Sequence, residues 1–342
     1  MSTFVETKPT QELPAFKGVK KVPYEEYFTS GHRTCEGCES AQFMRLMAKA
    51  AGSRTIVTGA TGCMYVANTS YYTTPWGVPW MHTQLGAAGS SAVGTAAALR
   101  ALMRKGEIKD EPINVIAFCG DGGGADIGLG PISAALTMPE YNLLIVLYDN
   151  ESYANTGIQV SSTSPYGVNT TFSTPGKVKR IMHHRWKKNM AGLIVAGHPT
   201  CKYVATVSTS YPLQAMNNVR KALSIGGPTF IHCLNPCPKG WDFDPGLAFE
   251  IGELAVNTGI WPLYEVECGK LSLYGKTEQI AKGRFKRLPV RDYLLKQGRF
   301  AHFTDEDIAF FQSKIDEMWE KWLVPGVIPL QKEIDTGNPP SR

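Results

Sequence analysis

The 342-residue sequence has no apolar run near the about 20 residues that a membrane-spanning helix needs. The longest run, Leu143–Tyr148, is the size of a β-strand. The N-terminus, MSTFVETKPTQELP, lacks the basic-then-apolar pattern of a secretory leader. The expectation is therefore a cytoplasmic protein with no membrane partner. Charge is sparse, at 19% of residues, and the net value of +5 is modest. No basic stripe of the kind that grips nucleic acid is present. The two densest basic runs, Lys17–Lys21 and Lys177–Lys188, read as solvated loops. So little charge on a long chain hints at a surface covered by partners. Also missing are internal repeats, low-complexity tracts and a G-x-G-x-x-G turn with an acidic residue about twenty positions on, which disfavours a Rossmann dinucleotide site.

With 43% hydrophobic residues the chain is long enough for one large α/β core with an appendage. Residues 1–30 hold three prolines and read as an extended arm. Residues 39–51 have helical spacing, with Phe43, Met44, Met47 and Ala50 on one side. TIVTGATGC, from Thr55, reads as a strand entering a glycine turn, and the Ala/Gly-rich stretch 84–104 as a buried helix. The clearest signal is strand–helix–strand. Ile113–Phe118 ends in CGDGGG, Ile127–Leu136 is helix-like, and Leu143–Tyr148 ends in DNESYANTG. Strands apolar throughout belong to parallel sheets covered on both faces, and ligands sit at the carboxyl ends of such strands. Residues 157–200 read as a long loop over that end, of a length more often functional than idle. Val204–Val207, a helix over 213–224 and Thr229–Leu234 add another unit. A final helix is expected to be capped by Thr304, with Ile308, Phe311, Ile315, Met318, Trp319 and Trp322 on one packing face.

Gly120-Asp121-Gly122 and Asp149-Asn150 follow successive strands. Glycines let phosphate oxygens approach the backbone. A carboxylate and an amide oxygen at neighbouring strand ends can share one octahedral Mg²⁺. The bland reading, an Asp that merely satisfies a tight turn, loses ground to the strand–helix–strand context.

Eight cysteines in a reducing compartment point to metal or redox work rather than disulfides. Cys35-Glu36-Gly37-Cys38 can grip one face of a metal or cluster, with Cys63 in its glycine turn and Cys237 in Asn-Pro-Cys-Pro available to complete four. Zinc stays open, although only one C-x-x-C pair exists. A thioredoxin-like pair is disfavoured by the missing preceding strand. Cys119, Cys201, Cys233 and Cys268 read by default as small buried hydrophobes.

The segments GHRTCEGC, ATGCMYV, TPWGVPWMH, NVIAFCGDGGGADIGL, YDNESYANTGIQVSSTSPYG, GPTFIHCLNPCPKGW and TGIWPLYEVE stand in this order over about residues 20–300. Together they resemble the 2-oxoacid:ferredoxin oxidoreductases, in particular the thiamine-diphosphate-binding β subunit of the pyruvate enzyme. The resemblance implies the thiamine-diphosphate-binding fold: an α/β parallel sheet flanked by helices, with a C-terminal extension. The division expected is 1–30 arm, 31–245 cofactor domain with the cluster cysteines, and 246–342 extension packing on partner subunits. It implies thiamine diphosphate held through Gly120, Asp121 and Gly122, with Asp121, Asn150 and the Ser152 carbonyl as Mg²⁺ ligands. Asn155 and Thr156 would face the diphosphate and substrate, with Asn155 taking part in catalysis. Cys35, Cys38, Cys63 and Cys237 would hold a [4Fe–4S] cluster.

The activity implied is oxidative decarboxylation of a 2-oxoacid, pyruvate by default, with coenzyme A as co-substrate. The partners implied are α and γ subunits, a ferredoxin-like δ subunit or domain, and ferredoxin. Three departures stand out. The family's C-x-x-C-G-E is here Cys38-Glu39-Ser40, Val160 replaces a frequent Arg, and Gly77 a larger residue. The first displaces the family's glutamate by one position, and Val160 and Gly77 suggest a pocket adjusted for a substrate other than pyruvate, with branched-chain, aromatic and oxalate enzymes as the alternatives. A non-redox thiamine lyase and a zinc-stabilised scaffold subunit are the competing classes, which iron content separates.

Overall fold

The computed structural model describes residues 11–69 and 73–321. The first ten residues of the expected arm, and Trp322 of the expected helical stripe, lie outside the described residues. One eight-stranded sheet organises the chain. Its strands are β1 (Thr55–Ala60), β2 (Trp80–Thr83), β3 (Asn114–Gly120), β4 (Leu143–Asp149), β5 (Tyr203–Ser208), β6 (Thr229–Leu234), β7 (Tyr264–Glu267) and β8 (Lys270–Leu273). The spatial order is β2-β1-β3-β4-β6-β5-β7-β8. β1 to β6 pair in parallel, and β7 and β8 form an antiparallel hairpin on the β5 side. The expected α/β sheet is therefore present, with an antiparallel border at one side.

The parallel strands alternate between two cores. Ile116, Phe118, Leu144 and Val146 face α1 (Glu39–Ala51) and α6 (Pro212–Ser224). Val115, Ala117, Ile145 and Leu147 face α3 (Ala88–Arg104), α4 (Leu129–Leu136) and α5 (Met190–Gly197). Every residue of β4 is buried, which is why its sequence carries no alternation. A third cluster holds the C-terminal part together: Trp241 of α7 (Pro238–Trp241), Ile251 of α8 (Ala248–Asn257), Leu294 of α10 (Val290–Leu294) and Phe311 of α11 (Asp305–Lys321). A short α9 (Gly275–Ala281) lies between, and a turn, α2 (Cys63–Val66), follows β1. Thr304 caps α11 reciprocally: its N–H donates to Asp307 Oδ2 at 2.8 Å, and the Asp307 N–H donates to its hydroxyl at 3.4 Å.

Four expectations need correction. Only Ala88, Gly89, Ala92 and Ala96 of α3 are fully buried, so that helix covers the sheet with one face only. The helix expected from Ile127 is preceded by a π-helical turn, Gly122–Ile127, because the glycines let the chain widen as it leaves β3. The long loop ends in α5, capped by the Asn189 side chain, which accepts from the Gly192 N–H. Cys268 is exposed at the β7–β8 turn, with φ 47°, rather than buried.

The described arm runs extended across α6. The Phe16 N–H donates to Asn217 Oδ1 at 2.7 Å, and the Arg220 guanidinium lies over the Phe16 ring at 4.3 Å. Further on, the Gly77 N–H donates to the Tyr27 carbonyl at 2.8 Å. A Cβ on Gly77 would stand 3.3 Å from Tyr27 Cα, so this glycine serves the seating of the arm.

Candidate functional site

The chain reverses its direction of growth between β1 and β3, and a crevice opens at the carboxyl ends of such strands. β1 delivers Thr61-Gly62-Cys63 there, β3 delivers Gly120-Asp121-Gly122, and β4 delivers Asp149-Asn150. The glycines are sterically required at two points. A Cβ on Gly122 would lie 2.3 Å from the Tyr153 ring, and one on Gly124 would lie 2.5 Å from Leu147 Cδ1.

Asp121 is 1% exposed. Burial, and then the neighbouring Asp149 carboxylate, hold its carboxyl well above the usual range. The Ser161 hydroxyl donates to its Oδ2, and the Thr163 hydroxyl lies 3.1 Å from the same atom. The other oxygen, Oδ1, faces one terminal atom of the Asn150 amide at 3.2 Å, and that atom also faces the Ser152 carbonyl at 2.8 Å. Turned one way, Asn150 donates to both. Turned the other way, three oxygens meet, an arrangement that a bound cation would stabilise. Octahedral Mg²⁺ with bonds of about 2.0–2.1 Å sets its adjacent ligand oxygens about 2.9 Å apart, close to both measured separations. The donor set of Asp121, Asn150 and Ser152 therefore fits the ion.

Asp149 behaves differently. Burial works against its charge, but Lys187 at 2.6 Å and His232 at 2.8 Å hold its carboxyl below the usual range. Lys187 lies within the basic run read as a solvated loop, and that reading is wrong for it. It bridges Asp149 and Glu151, the latter at 2.8 Å, and its neighbour Lys188 reaches Asp126 at 3.4 Å. A basic run looks solvated in sequence because the acids it meets, Asp126, Asp149 and Glu151, lie far from it along the chain. Arg299, buried and paired with Glu151 at 2.7 Å, was also missed.

The cysteines expected to act together are brought together. Cys63 is pushed up to about 12 by burial and then by Cys237, Cys38 and Cys35. Cys38 is pushed up to about 12 by burial and, among the cysteines, by Cys237 and Cys35. Cys237 is raised by burial and by Cys35. Three of the four stand at helix N-termini. Cys38 precedes α1, Cys63 opens α2, and Cys237 caps α7, its sulfur accepting from the Gly240 N–H at 3.3 Å. Amides aimed at sulfur favour the thiolate that burial disfavours. That is the signal the spacing did not give. Among the described residues no three His, Cys, Asp or Glu side chains are arranged for a single metal ion. A four-iron cluster takes one thiolate at each corner instead, and a donor set of four neighbouring thiols suits it.

The thiols adjoin the acidic loop. Asp121 bears on the Cys63 thiol, and a Cβ on Gly240 would touch both Cys237 Sγ and Ser152 Oγ, at 3.2 and 3.6 Å. Asn155 and Thr156 lie exposed on a tight loop closed by Tyr153 N–H to Gln159 O at 2.8 Å. Val160 leaves that loop half-buried. Glu39 is buried in the first turn of α1 with Oε2 unpartnered. Cys119 and Cys233 are buried in the two sheet cores, and Cys201 is partly buried. No described helix is long and apolar enough to cross a membrane.

Known proteins share this chain's pattern. Residues 60–233 match the family described as thiamine pyrophosphate enzyme, C-terminal TPP binding domain. The pyruvate synthase subunit PorB of Methanocaldococcus jannaschii is 49% identical over 300 residues, covering 87% of this chain and 97% of that one. PorB of Methanothermobacter marburgensis is 44% identical over 88% and 99%. The ketoisovalerate oxidoreductase subunit VorB of Pyrococcus furiosus is 36% identical over 91% and 97%. A 2-oxoglutarate:ferredoxin oxidoreductase from Magnetococcus marinus, solved with 2-oxoglutarate, coenzyme A and succinyl-CoA, shares the fold. Its TM-score is 0.52 at 19% identity, over 83% of this chain and 94% of that one.

Proposed function

The chain belongs to the family of thiamine-diphosphate-binding subunits of 2-oxoacid:ferredoxin oxidoreductases, and on that premise we propose that it performs the oxidative decarboxylation of pyruvate to acetyl-CoA and CO₂ with a [4Fe–4S] cluster of its own. The observation that carries the redox part is the adjacency of two donor sets. Cys35, Cys38, Cys237 and Asp121 all bear on the ionisation of Cys63, and Cys35 bears on Cys38 and Cys237 as well. Electrons leaving the cofactor would meet the cluster at the next side chain. A non-redox lyase would need no such set.

In this reading Asp121, Asn150 and the Ser152 carbonyl hold Mg²⁺, and Gly120, Asp121 and Gly122 accommodate the diphosphate. Thiamine diphosphate supplies the electron sink that makes loss of CO₂ from a 2-oxoacid feasible. The chain's own residues do the rest. Ser161 and Thr163 orient the Asp121 carboxylate so that Oδ1 stays free. The amides at the helix starts stabilise thiolate charge. Asn155 and Thr156 orient the substrate, with Asn155 donating to charge that develops on it. Coenzyme A takes the acyl group. The extension 246–342 packs on partner subunits, and an α subunit with γ and δ components completes the complex and carries electrons to ferredoxin.

Pyruvate is favoured over branched 2-oxoacids because the pyruvate synthase relatives run from 49% identity downward, while the ketoisovalerate relatives stand at 36%. The test is iron, acid-labile sulfide, zinc and thiamine diphosphate measured on the anaerobically purified complex. The reading expects roughly four irons per copy of this chain beyond those of any ferredoxin-like subunit, with bound thiamine diphosphate. Zinc in place of iron would refute the redox role.

A further inference from the structure

Glu151 stands between the two proposed ligand positions, Asn150 and Ser152, and its φ is 63°. A glutamate keeps that left-handed conformation only where its surroundings hold it. Its side chain is 3% exposed and is gripped at both oxygens. Oε1 meets Lys187 Nζ at 2.8 Å and Oε2 meets Arg299 Nη1 at 2.7 Å. Its backbone is fixed as well: the N–H donates to Asp149 Oδ1 at 2.9 Å, and the carbonyl accepts from the Ser164 hydroxyl at 2.6 Å. The guanidinium of Arg299 lies over the Trp241 ring at 3.7 Å, and the Nε1–H of that indole donates to the Asn150 carbonyl at 2.8 Å. Arg299 and Trp241 thus reach one three-residue loop from both sides of Glu151. Both come from chain beyond residue 233, where the match to the thiamine family ends.

We propose that Arg299, acting through Glu151 with Lys187, is a positioning residue for the metal-binding loop, and that the C-terminal extension is thereby part of the cofactor site. A buried ion pair adds little net stability, because desolvation offsets its attraction. What it fixes is direction. The grip keeps Glu151 in its left-handed turn, and that turn sets the separation of the Asn150 side chain from the Ser152 carbonyl. The proposal rests on the reading of Asn150 and Ser152 as ligands.

The test uses the complete complex, stripped anaerobically of magnesium and thiamine diphosphate. Mn²⁺ is titrated in the presence of thiamine diphosphate, and free Mn²⁺ is read by electron paramagnetic resonance. The visible absorbance of the cluster reports whether the rest of the subunit is intact. R299M and the isosteric E151Q are each expected to weaken Mn²⁺ binding about tenfold or more, as removal of an outer partner of a metal site does. The double variant E151Q/R299M should be no weaker than either single, since both break one grip. R299K, which keeps the charge, should restore binding close to the parent's. Unchanged affinity in R299M with normal cluster absorbance would overturn the proposal, as would single effects that multiply in the double variant. Should R299M not assemble, E151Q decides alone. A parent complex that binds no Mn²⁺ with thiamine diphosphate removes the ligand reading itself, an outcome distinct from parent and variants binding alike.

Discussion

Replacing Asp121 by Asn is expected to make the cofactor-free protein more stable while abolishing its response to cofactor. The carboxyl is almost fully buried, and burial together with Asp149 holds it above its usual range, so its charge at neutral pH is a liability to the fold. An Asn keeps an oxygen for the Ser161 and Thr163 hydroxyls and turns an NH₂ toward Asn150, whose amide can turn its oxygen to accept it. The hydrogen bonds exchange one for another, so the gain is relief of the buried carboxylate pair, about 1–2 kcal/mol, the usual cost of a buried polar group left badly matched. A net gain of about 1–2 kcal/mol raises Tm by roughly 1–3 °C in a chain of this size. The assay is thermal unfolding of the stripped complex with and without magnesium and thiamine diphosphate. The parent should gain about 2.7 kcal/mol at ligand one hundred times Kd, and D121N nothing. The effect has a pH signature. A raised folded pKa means the contribution of Asp121 is complete below the ordinary value of 3.8 and is lost as pH rises through the folded value. The gap between variant and parent should therefore close on acidification. A lower Tm for stripped D121N, or a Tm that still climbs with cofactor, would refute the reasoning.

Two further outcomes follow from the thiols and the helix packing. Cys38 and Cys63 are raised from 9.0 to about 12 in the cluster-free fold, so their contribution is whole below 9.0 and is lost as pH climbs toward 12. Cluster-free protein should thus lose more Tm between about pH 8 and about pH 10.5 than cluster-loaded protein, whose thiols are already ionised; equal losses in anaerobic scans would refute the coupling. Gly89→Ala places a Cβ 2.2 Å from the Pro131 carbonyl oxygen and so forces α3 away from α4. A loss of about 1–3 kcal/mol is expected, and an unmoved urea midpoint would contradict it.

The strands that deliver the site were readable because they are buried on both faces. After Asn114 in β3 and up to Tyr148 in β4 the residues are apolar, and the break to glycine and acid at the strand ends is abrupt. The hairpin of β7 and β8 was missed for the opposite reason. Each strand has four residues, too few for alternation to register, and the turn between them is Cys268-Gly269 rather than a common hairpin pair. The edge strand β2 is as short, and its central residues are exposed. Cysteine partners could be proposed from spacing and resemblance, whereas the grip on Glu151 could not. Nothing local separates Lys187 from Lys177: one meets carboxylates brought in by a distant strand, and the other lies in an exposed stretch.

The four coupled thiols are spread along the chain in a way that governs how the protein is made. Cys35 and Cys38 leave the ribosome early, and Cys237 comes about two hundred residues later. At about 5–20 residues per second, the interval is roughly 10–40 s. For that time the first thiols have no complete partner set, and the Gly37 turn that precedes α1 lacks the Pro245 backbone that packs against it. In the proposed reading, cluster assembly therefore waits until translation has passed Cys237. Until then three sulfurs stand without the fourth and open to oxidants, so the length of that exposure is set by the rate of translation.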